Sequence, residues 1–143
     1  MKIAKIEQFF PYQRMRLVKI TTDNGIVGWG ETTLEGKPKS TWGAVEDLAE
    51  YFIGKDPLRI EHHWQHVYRS AFFRGGNVLM SALSGIDQAL WDIAGKVCGL
   101  PISKLLGAFR ERIPAYVSSP NFAEFDRFIE YGLEVKKRGY RGY

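Results

Sequence analysis

From Leu79 to Val97 the apolar residues Leu79, Leu83, Ile86, Leu90, Ile93 and Val97 recur at three- and four-residue steps. That period writes one apolar face of a helix. Ala82, Gly85, Ala89 and Gly95 interrupt it with small side chains. A glycine inside a helix costs about 1 kcal/mol relative to alanine. Two of them point to a neighbour whose backbone comes close. Asp92 and Lys96 stand four apart with the acid first, the favourable order for a helical ion pair. Gly99 then supplies a left-handed stop, and Pro101 opens a short helix through Leu106.

Around this helix the chain divides into legible pieces. Residues 2–10 alternate loosely, with Ile3, Ile6, Phe9 and Phe10 apolar, and predict a strand. Pro11-Tyr12-Gln13-Arg14 interrupts. Leu17, Val18 and Ile20 predict a second strand, and Ile26–Glu31 a third. Asp23-Asn24-Gly25 between them is a tight-turn signal, because Asn and Gly tolerate positive φ. The three strands form an antiparallel meander. After the loop Thr32–Lys39, Ser40 or Thr41 is expected to cap a helix with Val45, Leu48, Ala49 and Phe52 on one face. Gly54 ends it. Asp56-Pro57 is expected to start another, with Ile60, Trp64, Val67 and Ala71 inward. Phe72-Phe73-Arg74-Gly75-Gly76-Asn77 breaks the pattern before the long helix. Beyond Gly107, Arg112–Ser119 predicts a strand and Phe122, Phe125, Ile129 and Leu133 a helix of about four turns. Gly139–Tyr143 looks like the entry to a further strand. Strand, helix, strand at this spacing is the unit of a parallel sheet.

Composition excludes some classes. The 143 residues suffice for one domain with a core, and 45% hydrophobic with 25% charged is ordinary for a globular protein. One cysteine, Cys98, permits no internal disulfide. It is expected to be small and at least partly buried, and a reducing cytoplasm suits it. Residues 1–7 show no signal-peptide pattern, and no apolar run is long enough to span a membrane. The net charge is +4, from 20 basic and 16 acidic residues. Lys136, Lys137, Arg138 and Arg141 cluster, but as a solvated helix end. No nucleic-acid partner is expected.

The stretch Ala82–Gly107 resembles the N-terminal signature of the mandelate racemase/muconate lactonizing branch of the enolase superfamily. Ala82, Ser84-Gly85-Ile86-Asp87, Ala89-Leu90, Asp92-Ile93, Gly95-Lys96 and Pro101-Ile102 through Leu105-Leu106-Gly107 carry the resemblance. Ala108 departs from it, where a second glycine is usual. Gly28-Trp29-Gly30-Glu31 and Phe73-Arg74-Gly75-Gly76 are similar to the galactonate-dehydratase group. The resemblance implies an α+β capping domain over residues 1–110, a three-stranded antiparallel meander followed by helices. Residues 111–143 would then begin a (β/α) barrel, with its first strand, first helix and entry to the second strand. A whole barrel takes about 250 residues. The chain is therefore expected to be a fragment, inactive alone, with its glycine-spaced helix docked against the barrel.

The implied reaction is abstraction of the proton next to a carboxylate of a small-molecule sugar acid. Mg²⁺ stabilises the enolate, and a Lys or His serves as base. The resemblance implies a carbon–oxygen lyase, a sugar-acid dehydratase of galactonate type, cytoplasmic and homo-oligomeric when intact. A racemase or muconate-type cycloisomerase is the alternative within the family, and a stand-alone binding module the alternative outside it. Catalytic residues and metal ligands are expected beyond Tyr143. Within the chain, two loops would help select substrate. In Phe10–Arg14, Arg14 suits a carboxylate and Tyr12 a pocket wall. In Phe72–Asn77, Phe73 excludes water, Arg74 reaches an anion and the glycines allow movement. Glu35 is a further polar contact, and Ser118 lies where the first barrel strand would end on its active face. His62 and His66 are one helical turn apart, but the zinc-protease glutamate and a third ligand are missing. A surface or packing role is expected for His62, His63 and His66. The four tryptophans are expected in core and interface positions.

Overall fold

Three strands open the structure, a computed structural model describing residues 1–143. They are β1 (Ile3–Tyr12), β2 (Met15–Thr22) and β3 (Val27–Glu31). They pair antiparallel in the order β1-β2-β3, with Ile6 opposite Ile20 and Lys19 opposite Trp29. Burial alternates along β2: Val18, Ile20 and Thr22 are covered, while the residues between them are less so. That is a sheet with one face on a core. The turn forms at Asp23-Asn24-Gly25 as expected, with Gly25 at φ 85° and the Thr22 hydroxyl 2.6 Å from Asn24 Oδ1. β1 runs further than expected, through Pro11 to Tyr12. An edge strand tolerates proline, and the register shifts between Phe9 and Tyr12.

Three helices cover the buried face: α1 (Pro38–Phe52), α2 (Ile60–Ser70) and α3 (Asn77–Cys98). Ile3, Val18 and Ile20 from the sheet meet Val45 and Phe52 of α1 and Ile86, Leu90 and Ile93 of α3. Neither Ser40 nor Thr41 caps α1. The helix begins at Pro38 behind Lys37, and the buried Thr41 hydroxyl bonds back to the Lys37 and Pro38 carbonyls. A threonine one turn inside a helix satisfies itself that way and leaves the capping position. α2 starts at Ile60, later than Asp56-Pro57. Asp56 instead accepts the Leu58 N–H in a turn before the helix.

α3 resolves the glycine pattern. Its small residues face β3, where Gly28 and Gly30 are also buried. A Cβ on Gly30 would land on the Gly85 carbonyl oxygen, and one on Gly28 on that of Ala89. A Cβ on Gly85 would clash with Thr32 and sit 2.8 Å from the Glu31 carbonyl. The neighbour that Gly85 admits is therefore β3 of the same unit, and Gly95 admits the Leu100 carbonyl just beyond the helix, so the close approaches at both glycines are made within this unit rather than by a barrel. Gln88, Asp92 and Lys96, each four residues apart, then bind the outer edge of β3. The Trp29 N–H donates to Asp92 (2.9 Å), the Glu31 N–H donates to Gln88 (3.1 Å), and Lys96 donates to the Val27 carbonyl (2.7 Å). The Asp92–Lys96 pair expected from spacing exists at 2.7 Å, and its two members also serve this edge. Gly99 ends the helix at φ 63°. The apolar face is shorter than the periodicity implied: Leu79 and Val97 at its two ends are exposed. Cys98 is exposed too, contrary to expectation, because it lies in the last turn beyond the packed part. α4 (Ile102–Leu105) follows.

The residues divide into two compact units, Met1–Gly107 and Ala108–Tyr143. The second contains α5 (Phe125–Lys137), which starts three residues after Phe122. Arg112–Ser119 does not form the expected strand. One parallel bridge joins Tyr116 to Gly142, with the Val117 N–H donating to the Gly142 carbonyl at 3.0 Å. A strand needs a run of backbone partners, and here there is a single point of pairing. Within this unit the Tyr143 hydroxyl donates to the Phe128 carbonyl at 3.2 Å, and its ring meets Tyr131. Phe125, Ile129 and Leu133 of α5 remain exposed.

Candidate functional site

Three of the chain's connections gather at one end of the first unit. The β1–β2 turn, the β3–α1 loop and the α2–α3 loop all lie where β3 finishes and α3 starts. Arg16 builds the turn. Its guanidinium donates to the carbonyls of Tyr12, Gln13 and Met15, at 3.4, 3.2 and 2.9 Å. It also lies 3.8 Å over the Phe10 ring, which stacks on Trp42 at 4.4 Å. The Arg16 backbone joins the next loop: its N–H donates to the Thr33 hydroxyl and its carbonyl accepts from the Thr32 N–H. The turn and loop are thus held as a pair before their tips meet.

At those tips Arg14 and Glu35 form an ion pair of 3.4 Å. Both side chains are about four-fifths exposed (80% and 79%). An exposed pair of that length is worth at most about 1 kcal/mol and is screened by salt. Arg14 is therefore free to exchange Glu35 for another carboxylate. The pair walls a recess of about 210 Å³ with Gln13, Leu34, Gly36 and Pro38. Tyr12 stands exposed at the end of β1.

Leu34 also lines a broader groove of about 560 Å³ beside α3, with Glu31, Thr33, Asn77, Ser81, Ser84 and Gln88. Met80 carries that groove into a third, apolar recess of about 100 Å³, walled by Phe73, Arg74 and Gly75. Phe72 and Phe73 pack edge to face at 5.2 Å, yet both are almost wholly exposed. Gly75 and Gly76 turn the chain at φ 72° and 83°, and Gly76 precedes the first turn of α3. Arg74 has no acidic partner, so the end offers two cations, Arg14 and Arg74, flanking hydroxyls and amides. Such a surface suits an anionic, hydroxyl-rich molecule.

Of the residues proposed from sequence, the structure brings Arg14 to Glu35 and places Phe73 with Arg74. It puts all four, with Tyr12, at the same end of the unit. Ser118 belongs to the second unit, exposed just after the Tyr116 bridge. Two features were missed. Arg16 gave no sequence signal. Asn77, Ser81, Ser84 and Gln88 did: steps of four, three and four mark a polar stripe on a helix otherwise read for its apolar face. The expected roles of the histidines separate. His63 is buried, its Nε2 donating to the Asp56 carbonyl at 2.8 Å and its Nδ1 accepting from the Tyr51 hydroxyl at 2.9 Å. His62 and His66 lie on the surface. The tryptophans are not deep core: Trp29 is exposed, and Trp42, Trp64 and Trp91 are half-buried. No three His, Cys, Asp or Glu residues in the structure gather as a metal site, so these residues do not by themselves fit Mg²⁺. No helix is long and apolar enough to cross a membrane.

A three-stranded meander sealed by glycines against a long helix, with its loops gathered at one end, defines the capping class within the enolase superfamily. The chain belongs to the family described as "Mandelate racemase / muconate lactonizing enzyme, N-terminal domain", which matches residues 9–107. It is 52% identical over 117 residues to the D-galactonate dehydratase of Pectobacterium atrosepticum, and 50% to that of Xanthomonas campestris pv. campestris. Each alignment covers 81% of this chain and 31% of the relative. The chain thus spans about a third of the length of those relatives. Among solved structures, an enolase from Pantoea ananatis with bound D-gluconate and Mg is 35% identical, with a TM-score of 0.87. That match covers 98% of this chain and 35% of the other. The 3,6-anhydro-D-galactonate cycloisomerase of Zobellia galactanivorans is 33% identical, with a TM-score of 0.86, covering 99% and 41%.

Proposed function

We propose that these residues are the cap of a Mg²⁺-dependent sugar-acid dehydratase of galactonate type. The observation that carries this reading is the 52% identity to a D-galactonate dehydratase. The geometry agrees in kind, since Arg14 and Arg74 suit a carboxylate and the stripe between them suits hydroxyls. Dehydration removes the proton α to the carboxylate and the hydroxyl on the β carbon, leaving an enol that becomes a 2-keto-3-deoxy acid. Mg²⁺, when bound, supplies a Lewis acid for the enolate. The cap's part is to bind and orient. Arg14 releases Glu35 and takes the substrate carboxylate, Tyr12 and Phe73 exclude water, Arg74 adds a second cation, and the glycines let the α2–α3 loop move. Residues 1–110 are the cap and residues 111–143 the start of the barrel, where Ser118 stands exposed just after the Tyr116 bridge. A cytoplasmic homo-oligomer rests on the family resemblance alone.

A chimera tests this reading. Residues of the first unit are exchanged for the matching stretch of the Pectobacterium enzyme, and D-galactonate turnover to the keto acid is followed with Mg²⁺. Retained turnover, with kcat/KM lowered at least about tenfold by Arg14→Ala, supports the proposal. A folded chimera that ignores D-galactonate sinks it. The similarity to the Zobellia cycloisomerase favours a second reading, in which the same cap serves a cycloisomerase or racemase. Turnover of an anhydro sugar acid without loss of water would select it.

A further inference from the structure

The first half of α2 carries a cluster that the loop end does not use. His62 and His66 are both exposed and one helical turn apart. Their ring planes lie 21° from parallel, with centroids 6.3 Å apart. Both imidazoles are thus exposed and near-parallel on one side of the helix, close enough for side-chain rotation to bring a nitrogen of each onto one ion. Paired histidines at this spacing are a recurrent two-point metal clamp on helices.

The pair is also braced. The Tyr51 ring of α1 stacks on His66 at 4.2 Å and 15°. Tyr51 is in turn fixed by donating its hydroxyl to buried His63, whose other nitrogen is tied to the Asp56 carbonyl. One ligand ring is therefore set by a chain of contacts reaching into the core, the kind of outer support that orients metal-binding imidazoles.

We propose that His62 and His66 form a two-imidazole chelate for a late first-row divalent cation such as Zn²⁺, Ni²⁺ or Cu²⁺. No third protein ligand completes a cage, so water fills the remaining positions and the ion exchanges freely. The site is selective by chemistry. Neutral nitrogen donors suit Cu²⁺, Ni²⁺ and Zn²⁺, whereas Mg²⁺ demands oxygen. Affinity follows the order in which Cu²⁺ exceeds Ni²⁺ and Zn²⁺. The site stands apart from the sugar-acid reading and does not depend on it.

The test is calorimetric titration of the untagged 143-residue chain, carrying Cys98→Ser to remove the exposed thiol, with ZnCl₂, NiCl₂, CuCl₂ and MgCl₂. One Zn²⁺ or Ni²⁺ per chain is expected, with Cu²⁺ tighter and no heat from Mg²⁺. His62→Ala and His66→Ala should each weaken Zn²⁺ and Ni²⁺ at least about tenfold, a change of about 1.4 kcal/mol. Both residues are exposed, so melting temperatures without metal should stay at the parent value. His62→Gln and His66→Gln give the same readout should either alanine variant melt early. Absence of Zn²⁺ and Ni²⁺ uptake at about 1 mM overturns the proposal, as does uptake that survives loss of both imidazoles.

Discussion

The seam between β3 and α3 and the loop end beyond it differ in almost every physical respect. Along the seam, backbone lies against backbone. Gly28 and Gly30 face Ala89 and Gly85, and Gln88, Asp92 and Lys96 seal the strand's outer edge. At the loop end, a few residues away, the same elements diverge. There Arg14 and Glu35 touch at 3.4 Å in solvent, and two phenylalanines stand uncovered. One region cannot accept a methyl group, while the other has its charges and rings unspent. Rigidity beside an open, polar end is the arrangement a binding surface needs: the seam fixes where the loops begin, and the loops keep contacts to give to a ligand.

The strongest way to break the contrast is to add one carbon to each kind of glycine. Gly30→Ala drives a Cβ into the Gly85 carbonyl, so urea unfolding should show a loss of about 3 kcal/mol or more. Gly43 lies in α1 with open space around it. Gly43→Ala should therefore stabilise by up to about 1 kcal/mol in the same assay. Equal effects at the two glycines would remove the seam from the account.

Smaller losses sharpen it. Asp92→Ala leaves the Trp29 N–H without its acceptor and Lys96 with only the Val27 carbonyl. The expected loss is about 1–3 kcal/mol, and Asp92→Asn should recover part of it.

Asp87, half-buried on the flank of α3, has a pKa raised by desolvation and then by Glu61. A raised folded pKa means that its stability contribution is present below the unfolded value and lost as pH rises through the folded one. Asp87→Asn should accordingly raise the melting temperature at neutral pH, with the gain shrinking as pH falls toward the ordinary aspartate range. A gain that grows in acid would contradict the burial of this carboxyl.

The smallest change in stability belongs to the loop end. Glu35→Ala should alter unfolding by no more than about 0.5 kcal/mol, because it removes only an exposed pair. It should nonetheless tighten carboxylate binding in the chimera by freeing Arg14, read as a lower KM for D-galactonate. An unchanged KM would separate Arg14 from the substrate.

These two regions were unequally legible. The helix, the tight turn and the Asp92–Lys96 pair follow from spacing, since each is a local event with a fixed period. That Gly85 admits a close neighbour was legible as well. Which neighbour it admits was not. Only the fold brings Gly28 and Gly30, more than fifty residues earlier, to the same place. Arg14, Glu35, Phe73 and Arg74 were nameable from residue type and loop position. The meeting of Arg14 with Glu35 depends on Arg16, whose anchoring through three carbonyls and a ring leaves no mark in a linear pattern. Residues 112–119 look like a strand because alternation is a property of one segment, whereas pairing requires a second.

Native-state hydrogen exchange on the 143-residue chain tests the contrast most directly. The account predicts that the Trp29 and Glu31 amides, bound by Asp92 and Gln88, exchange only with global unfolding. Amides at 13–15, 34–36 and 72–76 should exchange by local opening, orders of magnitude faster. Edge amides of β3 that exchange as fast as those loops would contradict the sealed seam on which the rest depends.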